Sequence, residues 1–136
     1  MVEKNLCEEI KRKYYEEDKY PLSLGIEIVE LVPGYSVVEM EVTEEMDNFH
    51  QITHGGAVYS LADTAFGLAS NSRGPAVAMQ VSMNYLAPAF SGQVISAIAR
   101  EEHITRSTGT YSVTVQNKKE EKIALFRGVV YRKKSN

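Results

Sequence analysis

Residues 57, 58, 61, 62, 65, 66, 68 and 69 are apolar and, at helical spacing, cover most of the circumference of one helix. A helix apolar on so many sides has to be enclosed. In a chain of 136 residues the enclosing material is strand. Before the helix, Ile26 and Ile28 alternate with Glu27, and after a Pro33-Gly34 turn Val38, Met40 and Val42 alternate with Glu39 and Glu41, which predicts a hairpin. After it, strands are predicted with Val77, Met79, Val81, Met83 and Tyr85 on one face, then over Val94 to Ile104, Tyr111 to Val115 and Ile123 to Tyr131. Breaks fall at Pro75, Pro88 to Gly92, Arg106 to Gly109 and Asn117 to Glu121. Leu6, Ile10 and Tyr14, spaced four apart, place one apolar stripe on a surface helix over residues 3–19, with Tyr14, Tyr15 and Tyr20 as packing residues. The expected class is α+β: one domain over 1–136, with an N-terminal helix in 1–20, a central helix over 55–71 and an antiparallel sheet against it.

Several partners are disfavoured at this level. A net charge of -3 argues against nucleic acid, whose phosphates call for concentrated Lys and Arg. The basic end, Arg132 to Lys134, is expected to be solvated. No run of about 18 apolar residues suits a membrane span, and the charged N-terminus lacks the pattern of a secretory leader. A cytoplasmic protein with no membrane partner is expected. The single cysteine, Cys7, agrees with a reducing compartment and has no nearby histidine to activate it.

Within the apolar helix, Gly56, Ser60, Asp63, Gly67 and Ser70 recur at spacings of four and three and so form one narrow line. Asp63 is its only ionisable member. A carboxylate there needs compensation, either a structural hydrogen bond or a site facing a pocket. Gly55 and Gly56 open the helix, where backbone N–H groups lack intrahelical acceptors. They are candidates to hold an oxyanion, because no side chain there blocks the approach of a carbonyl oxygen, although glycines at a loop-to-helix junction are also common. Gly55 and Asp63 are eight residues apart, a helical rise of about 12 Å. If both serve one reaction, Asp63 has to come from a second copy, across a two-fold axis that makes two equivalent sites.

Asn48 to Asn71, with His54-Gly55-Gly56 and Leu61-Ala62-Asp63-Thr64-Ala65, resembles the signature of hotdog-fold thioesterases of the phenylacetate-degradation (PaaI) type. Asn48 lies six residues before His54, and Asp63 nine after it, as in that family. The likeness continues through Asn84-Tyr85-Leu86-Ala87-Pro88-Ala89, Gly92 and Ala124 to Gly128. It implies a hotdog fold, an antiparallel sheet wrapped around the central helix, in homodimers joined edge to edge that commonly pair into tetramers. It also implies acyl-CoA as substrate and partner, with no separate cofactor and no metal. The Gly55 amide would polarise the thioester carbonyl, and Asp63 of a partner subunit would act as base or nucleophile. Asn48 would position the water or carboxylate, and His54 would hold the loop. Gly56, Thr64 and Tyr85 are further substrate-binding candidates. Arg106, Ser107 and Thr108 resemble the segment that receives the nucleotide end of coenzyme A, with a plain polar turn as the equal alternative. Ala87 and Ala78 depart from the pattern, since many relatives carry Arg at the first position and some carry Ser or Thr at the second.

His50 and His54, four apart, lack the third ligand of a metal motif. Two other functions stand beside the thioesterase: a non-catalytic acyl-CoA-binding module, which would not need Asp63, and a hotdog hydratase, which would need a close acid/base pair. Met79, Met83, Tyr85, Tyr59 and Phe66 are candidates to shape an apolar acyl pocket, and methionine adapts to many shapes. The acyl group itself is not legible, and an arylacetyl thioester such as phenylacetyl- or hydroxyphenylacetyl-CoA is favoured by resemblance alone.

Overall fold

The computed structural model describes residues 2–133. Two N-terminal helices, α1 (Val2–Glu17) and α2 (Lys19–Ser23), precede a hairpin of β1 (Glu27–Val32) and β2 (Tyr35–Glu41). The central helix α3 (Gly55–Asn71) follows, and then β3 (Ala76–Tyr85), β4 (Val94–Ile104), β5 (Thr108–Asn117) and β6 (Lys122–Arg132). All six strands join one antiparallel sheet in the order β1-β2-β4-β5-β6-β3. The hairpin turns at Gly34, whose φ of 75° is a backbone conformation that suits glycine.

The sheet folds around α3, which touches every strand. This is the hotdog arrangement expected from the resemblance. Leu61, Ala62, Ala65, Phe66 and Ala69 on the helix are buried against the alternating inward residues Val38, Met40, Ile95, Ala97, Tyr111, Val113 and Phe126. Alanines on both layers bring helix and sheet close together. The ring of Phe66 lies over Gly128, where an added Cβ would meet it at 2.5 Å. Ser36, the fully buried polar residue of β2, donates to the Ala65 carbonyl at 2.6 Å, so its burial leaves no orphaned hydroxyl.

β3 departs from the expected single apolar face. Its pairing with β6 shifts between Ala78 and Gln80, and such a bulge reverses which face the following residues occupy. Val81, Met83 and Tyr85 stand opposite Gly128, Phe126 and Ala124 on the helix side. Val77 instead stands opposite the half-exposed Tyr131, on the outer face, and Met79 occupies the bulge, 61% exposed. Phe66 is core rather than pocket lining.

Two other expectations are corrected. Ser70 turns inward, 2% exposed, and donates to the Gly67 carbonyl, because a helix drifts off a strict four-three repeat. Arg132 is not a solvated end, since its guanidinium donates to the carbonyls of Thr105 and Arg73, each at 2.8 Å. Lys133 is exposed as expected, and Lys134, the last residue of that basic end, lies outside the described residues, as does Met1 of the N-terminal segment. Among the described residues no helix is long and apolar enough to cross a membrane.

Candidate active site

The loop before α3 is stitched down by its own backbone. His54, the N-cap residue, donates its N–H to the Met46 carbonyl at 2.7 Å, and Thr53 donates to Ala89 at 2.9 Å. Asn48 Oδ1 accepts from the His50 N–H at 2.8 Å and the Ile52 N–H at 3.3 Å, which closes an Asx-type turn. The His54 carbonyl accepts from the N–H groups of Ala57 and Val58. No described residue accepts from the N–H of Gly55 or Gly56, so the positive end of α3 opens outward with free donors. A cavity of about 360 Å³ adjoins it, bounded by Asn48, Gly55, Val58, Tyr85 and the segment 86–89. Tyr85, facing the helix because of the β3 bulge, donates its hydroxyl to the Gly55 carbonyl at 3.2 Å.

Asp63 opens elsewhere, into a cleft of about 910 Å³ between α3 and the α1–α2 segment. Among the described residues no side chain or backbone group hydrogen-bonds its carboxylate. Burial pushes its pKa above the ordinary carboxylate value, because the charged form has lost water without gaining a partner. Gly56, Ser60, Thr64 and Gly67 line the same cleft from α3. The Thr64 hydroxyl is spent on the Ser60 carbonyl at 2.7 Å, and Ser60 donates to the Gly56 carbonyl at 2.8 Å.

One chain thus keeps two features apart: free amide donors at the start of α3, and an unpartnered carboxylate two turns along on a different cavity. The region containing both matches a known family model, described as the thioesterase superfamily, over residues 50–124. The chain belongs to the thioesterase superfamily.

This thioesterase is 43% identical to the acyl-coenzyme A thioesterase PaaI of Escherichia coli (strain K12) over 119 residues, which are 87% of this chain and 85% of that one. The solved structure of the E. coli PaaI protein from the phenylacetic acid degradation operon superposes with a TM-score of 0.92 at 38% identity, covering 97% of this chain and 96% of that one. A Streptococcus mutans protein solved with acetyl CoA bound is 31% identical with a TM-score of 0.76, covering 79% of this chain and 91% of that one. The family match begins after α1 and α2, so the wall facing Asp63 lies outside it.

The structure gathers Asn48, Gly55 and Tyr85 around one cavity, and it places Asp63, Gly56 and Thr64 on the other cleft; His54, the N-cap residue of α3, lines neither. Arg106, Ser107 and Thr108 line neither. They form the β4–β5 turn, closed by hydrogen bonds between Thr105 and Thr108, with the Ser107 carbonyl accepting from the Arg132 N–H at 2.7 Å. The residue missed by sequence reasoning is Tyr20. It is not a packing residue, being 65% exposed, and its hydroxyl meets Ser60 Oγ at 3.1 Å over the Asp63 cleft. Its local pattern carries no sign of this, since the contact spans forty residues.

Proposed function

We propose that the protein hydrolyses acyl-CoA thioesters in a site that two copies complete. The observation carrying this reading is the unpartnered Asp63 carboxylate on a helix whose free N-terminal amides open onto a different cavity. A thioester carbonyl oxygen accepts from the Gly55 N–H of one copy while Asp63 of a second copy faces the acyl carbon. Asp63 takes a proton from water as its oxygen bonds to that carbon, the tetrahedral oxyanion collapses, and the C–S bond breaks. The coenzyme A thiolate then recovers the proton from the Asp63 carboxyl. If Asp63 attacks directly, the C–S bond breaks as an acyl-aspartyl anhydride forms, and water then opens the anhydride to the free acid and Asp63, releasing the proton that the coenzyme A thiolate takes. Asn48 and His54 keep the loop bearing Gly55 in place through the turn and backbone bonds described.

The E. coli PaaI relative and the acetyl-CoA-bound S. mutans neighbour support coenzyme A as the carrier. The place of the PaaI protein in a phenylacetic acid degradation operon favours phenylacetyl- or hydroxyphenylacetyl-CoA as the thioester. The edge position of β3, with Val77 and Met79 exposed on it, supports a dimer joined along that strand, and we take two dimers to form the tetramer. A cytoplasmic site of action agrees with the lone Cys7. Arg106 at the β4–β5 turn is the proposed contact for the nucleotide phosphates, and its removal is expected to raise KM for acyl-CoA but not for an acyl-pantetheine. No separate cofactor is invoked.

Thiol release from phenylacetyl-, hydroxyphenylacetyl-, benzoyl- and hexanoyl-CoA tests the proposal, with Asp63→Ala and Asp63→Asn as controls of verified fold and assembly. Turnover by the native protein that both variants lose is expected. Tight binding of the thioesters without any thiol release would establish a binding module instead. Single turnover in ¹⁸O-labelled water identifies a nucleophilic Asp63, because label enters its carboxylate only when water opens an anhydride at the aspartyl carbonyl.

A further inference from the structure

The cleft onto which Asp63 opens is longer than the reaction requires. Its α3 floor runs from Gly56 to Asn71, roughly 22 Å at the rise of a helix, with Asp63 near the middle. The two directions away from Asp63 differ. Toward Gly56 the cleft is crossed by Tyr20. Ser60 already gives its hydroxyl proton to the Gly56 carbonyl, so the Tyr20 hydroxyl is the donor in the 3.1 Å bond to Ser60 Oγ. Toward Asn71 the floor is Gly67, one turn beyond Asp63, and a Cβ built there meets nothing within 4 Å. Ile10 from α1 and Leu68 from α3 supply apolar walls around that open floor.

The opposite wall is held firmly. Tyr14 is buried and donates to the Ile26 carbonyl at 2.6 Å, and the Tyr15 hydroxyl accepts from the Ile28 N–H at 2.8 Å. These bonds tie α1 to the start of β1. Glu17 and Asp18 add negative charge to a cleft that already holds Asp63, against one cation among the described residues that line it, Lys13. A cleft of this charge disfavours a second carboxylate on the ligand.

Building on the acyl-CoA hydrolysis proposed above, we infer that the α1–α3 half of the cleft is the acyl subsite. Tyr20 closes its other end, Gly67 sets its depth, and its ligand is an uncharged, apolar acyl group. The whole cleft, about 910 Å³, falls within the range of about 300–1,000 Å³ usual for small-molecule sites. Specificity for the acyl group is thereby assigned to the N-terminal segment, while the thioester chemistry stays on α3.

The test fills the subsite from its two walls separately, with Gly67→Leu from the floor and Ile10→Trp from the facing helix. The readout is the ratio of kcat/KM for octanoyl-CoA to that for acetyl-CoA, with glutaryl-CoA as the charged acyl group. Assembly is measured by light scattering. The native protein is expected to use octanoyl-CoA at least tenfold better than glutaryl-CoA. Each filling variant is expected to lower the octanoyl-to-acetyl ratio at least tenfold while keeping its native mass. An unchanged ratio in both variants overturns the subsite while leaving the hydrolysis reading intact. So does dissociation or reassembly of the filled variants with the ratio retained, which would mark the cleft as a subunit contact. A native protein that releases no thiol from any of these compounds overturns the hydrolysis reading itself, and the subsite falls with it.

Discussion

The Tyr85 hydroxyl donates to the Gly55 carbonyl oxygen at 3.2 Å, and its ring stands 3.2 Å from where a Cβ on Gly55 would lie. Tyr85 therefore acts on the same peptide segment whose N–H is the proposed oxyanion donor. Tyr85→Phe keeps the ring and loses a neutral hydrogen bond worth about 0.5–1.5 kcal/mol. A fall in kcat of roughly two- to tenfold is expected, with thermal stability little changed. Gly55→Ala forces the ring and the helix start apart, and misplacing such a donor is expected to lower kcat by about 10²–10³. Steady-state kinetics on both variants checks the order. Equal kcat in the native protein and Gly55→Ala would remove Gly55 from the reaction.

The raised pKa of Asp63 predicts opposite effects of pH on activity and on stability. In the window between the ordinary carboxylate value and the raised folded value, the native state holds more protons than the unfolded chain. Stability contributed by this position therefore falls as pH rises through that window. Asp63→Asn is expected to be more stable than the native protein at neutral pH, with the advantage vanishing in acid below the ordinary carboxylate range. Activity needs the charged form and is expected to rise across the same window. Loss of the base lowers kcat by about 10²–10⁴. Denaturant melts and pH–rate profiles of both proteins measure the two trends.

Met79 stands in the β3 bulge, exposed on the edge strand of the sheet. Met79→Asp introduces a charge where a second copy is proposed to pair, and like charges then face across a two-fold axis. The expected outcome is a monomer by sedimentation, near-native circular dichroism, and activity reduced by more than a hundredfold because each half-site loses its complement. A fully active monomer would show that one chain suffices.

Two glycines within reach of α3 predict stability changes of opposite sign. At Gly128 the Phe66 ring would meet a new Cβ at 2.5 Å, and Phe66 is itself held by Tyr111 and Phe126. Gly128→Ala is expected to destabilise by about 1–3 kcal/mol, as overpacked cores do. At Gly67 the added methyl enters open space in the middle of a helix, and alanine there is expected to stabilise by about 1 kcal/mol. Urea midpoints of the two variants, at equal slope, decide both.

The central helix and the strands around it were legible because their periods are local, near four residues for α3 and two for the hairpin. The bulge at Met79 was not. Inserting one residue leaves the alternation along β3 unbroken as a string while turning Val77 away from the helix. Ser70 differs for a related reason, since by that position 3.6 residues per turn carry the line of small and polar residues into the core. Spacing and neighbours make Asp63 and Gly55 candidates in the sequence, whereas Tyr20 carries no such signal.

By itself the sequence determined that Gly55 and Asp63 belong to one stiff helix and cannot meet at one carbon within a chain, because eight residues at a fixed rise separate them by about 12 Å. The tertiary structure decided what each of them faces. β3 ends at the sheet edge, Tyr85 reaches the Gly55 carbonyl, and α1 and α2 wall the Asp63 cleft through bonds from Tyr14, Tyr15 and Tyr20. Those contacts join residues from twelve to forty positions apart, and only the packed chain sets distances across such spans.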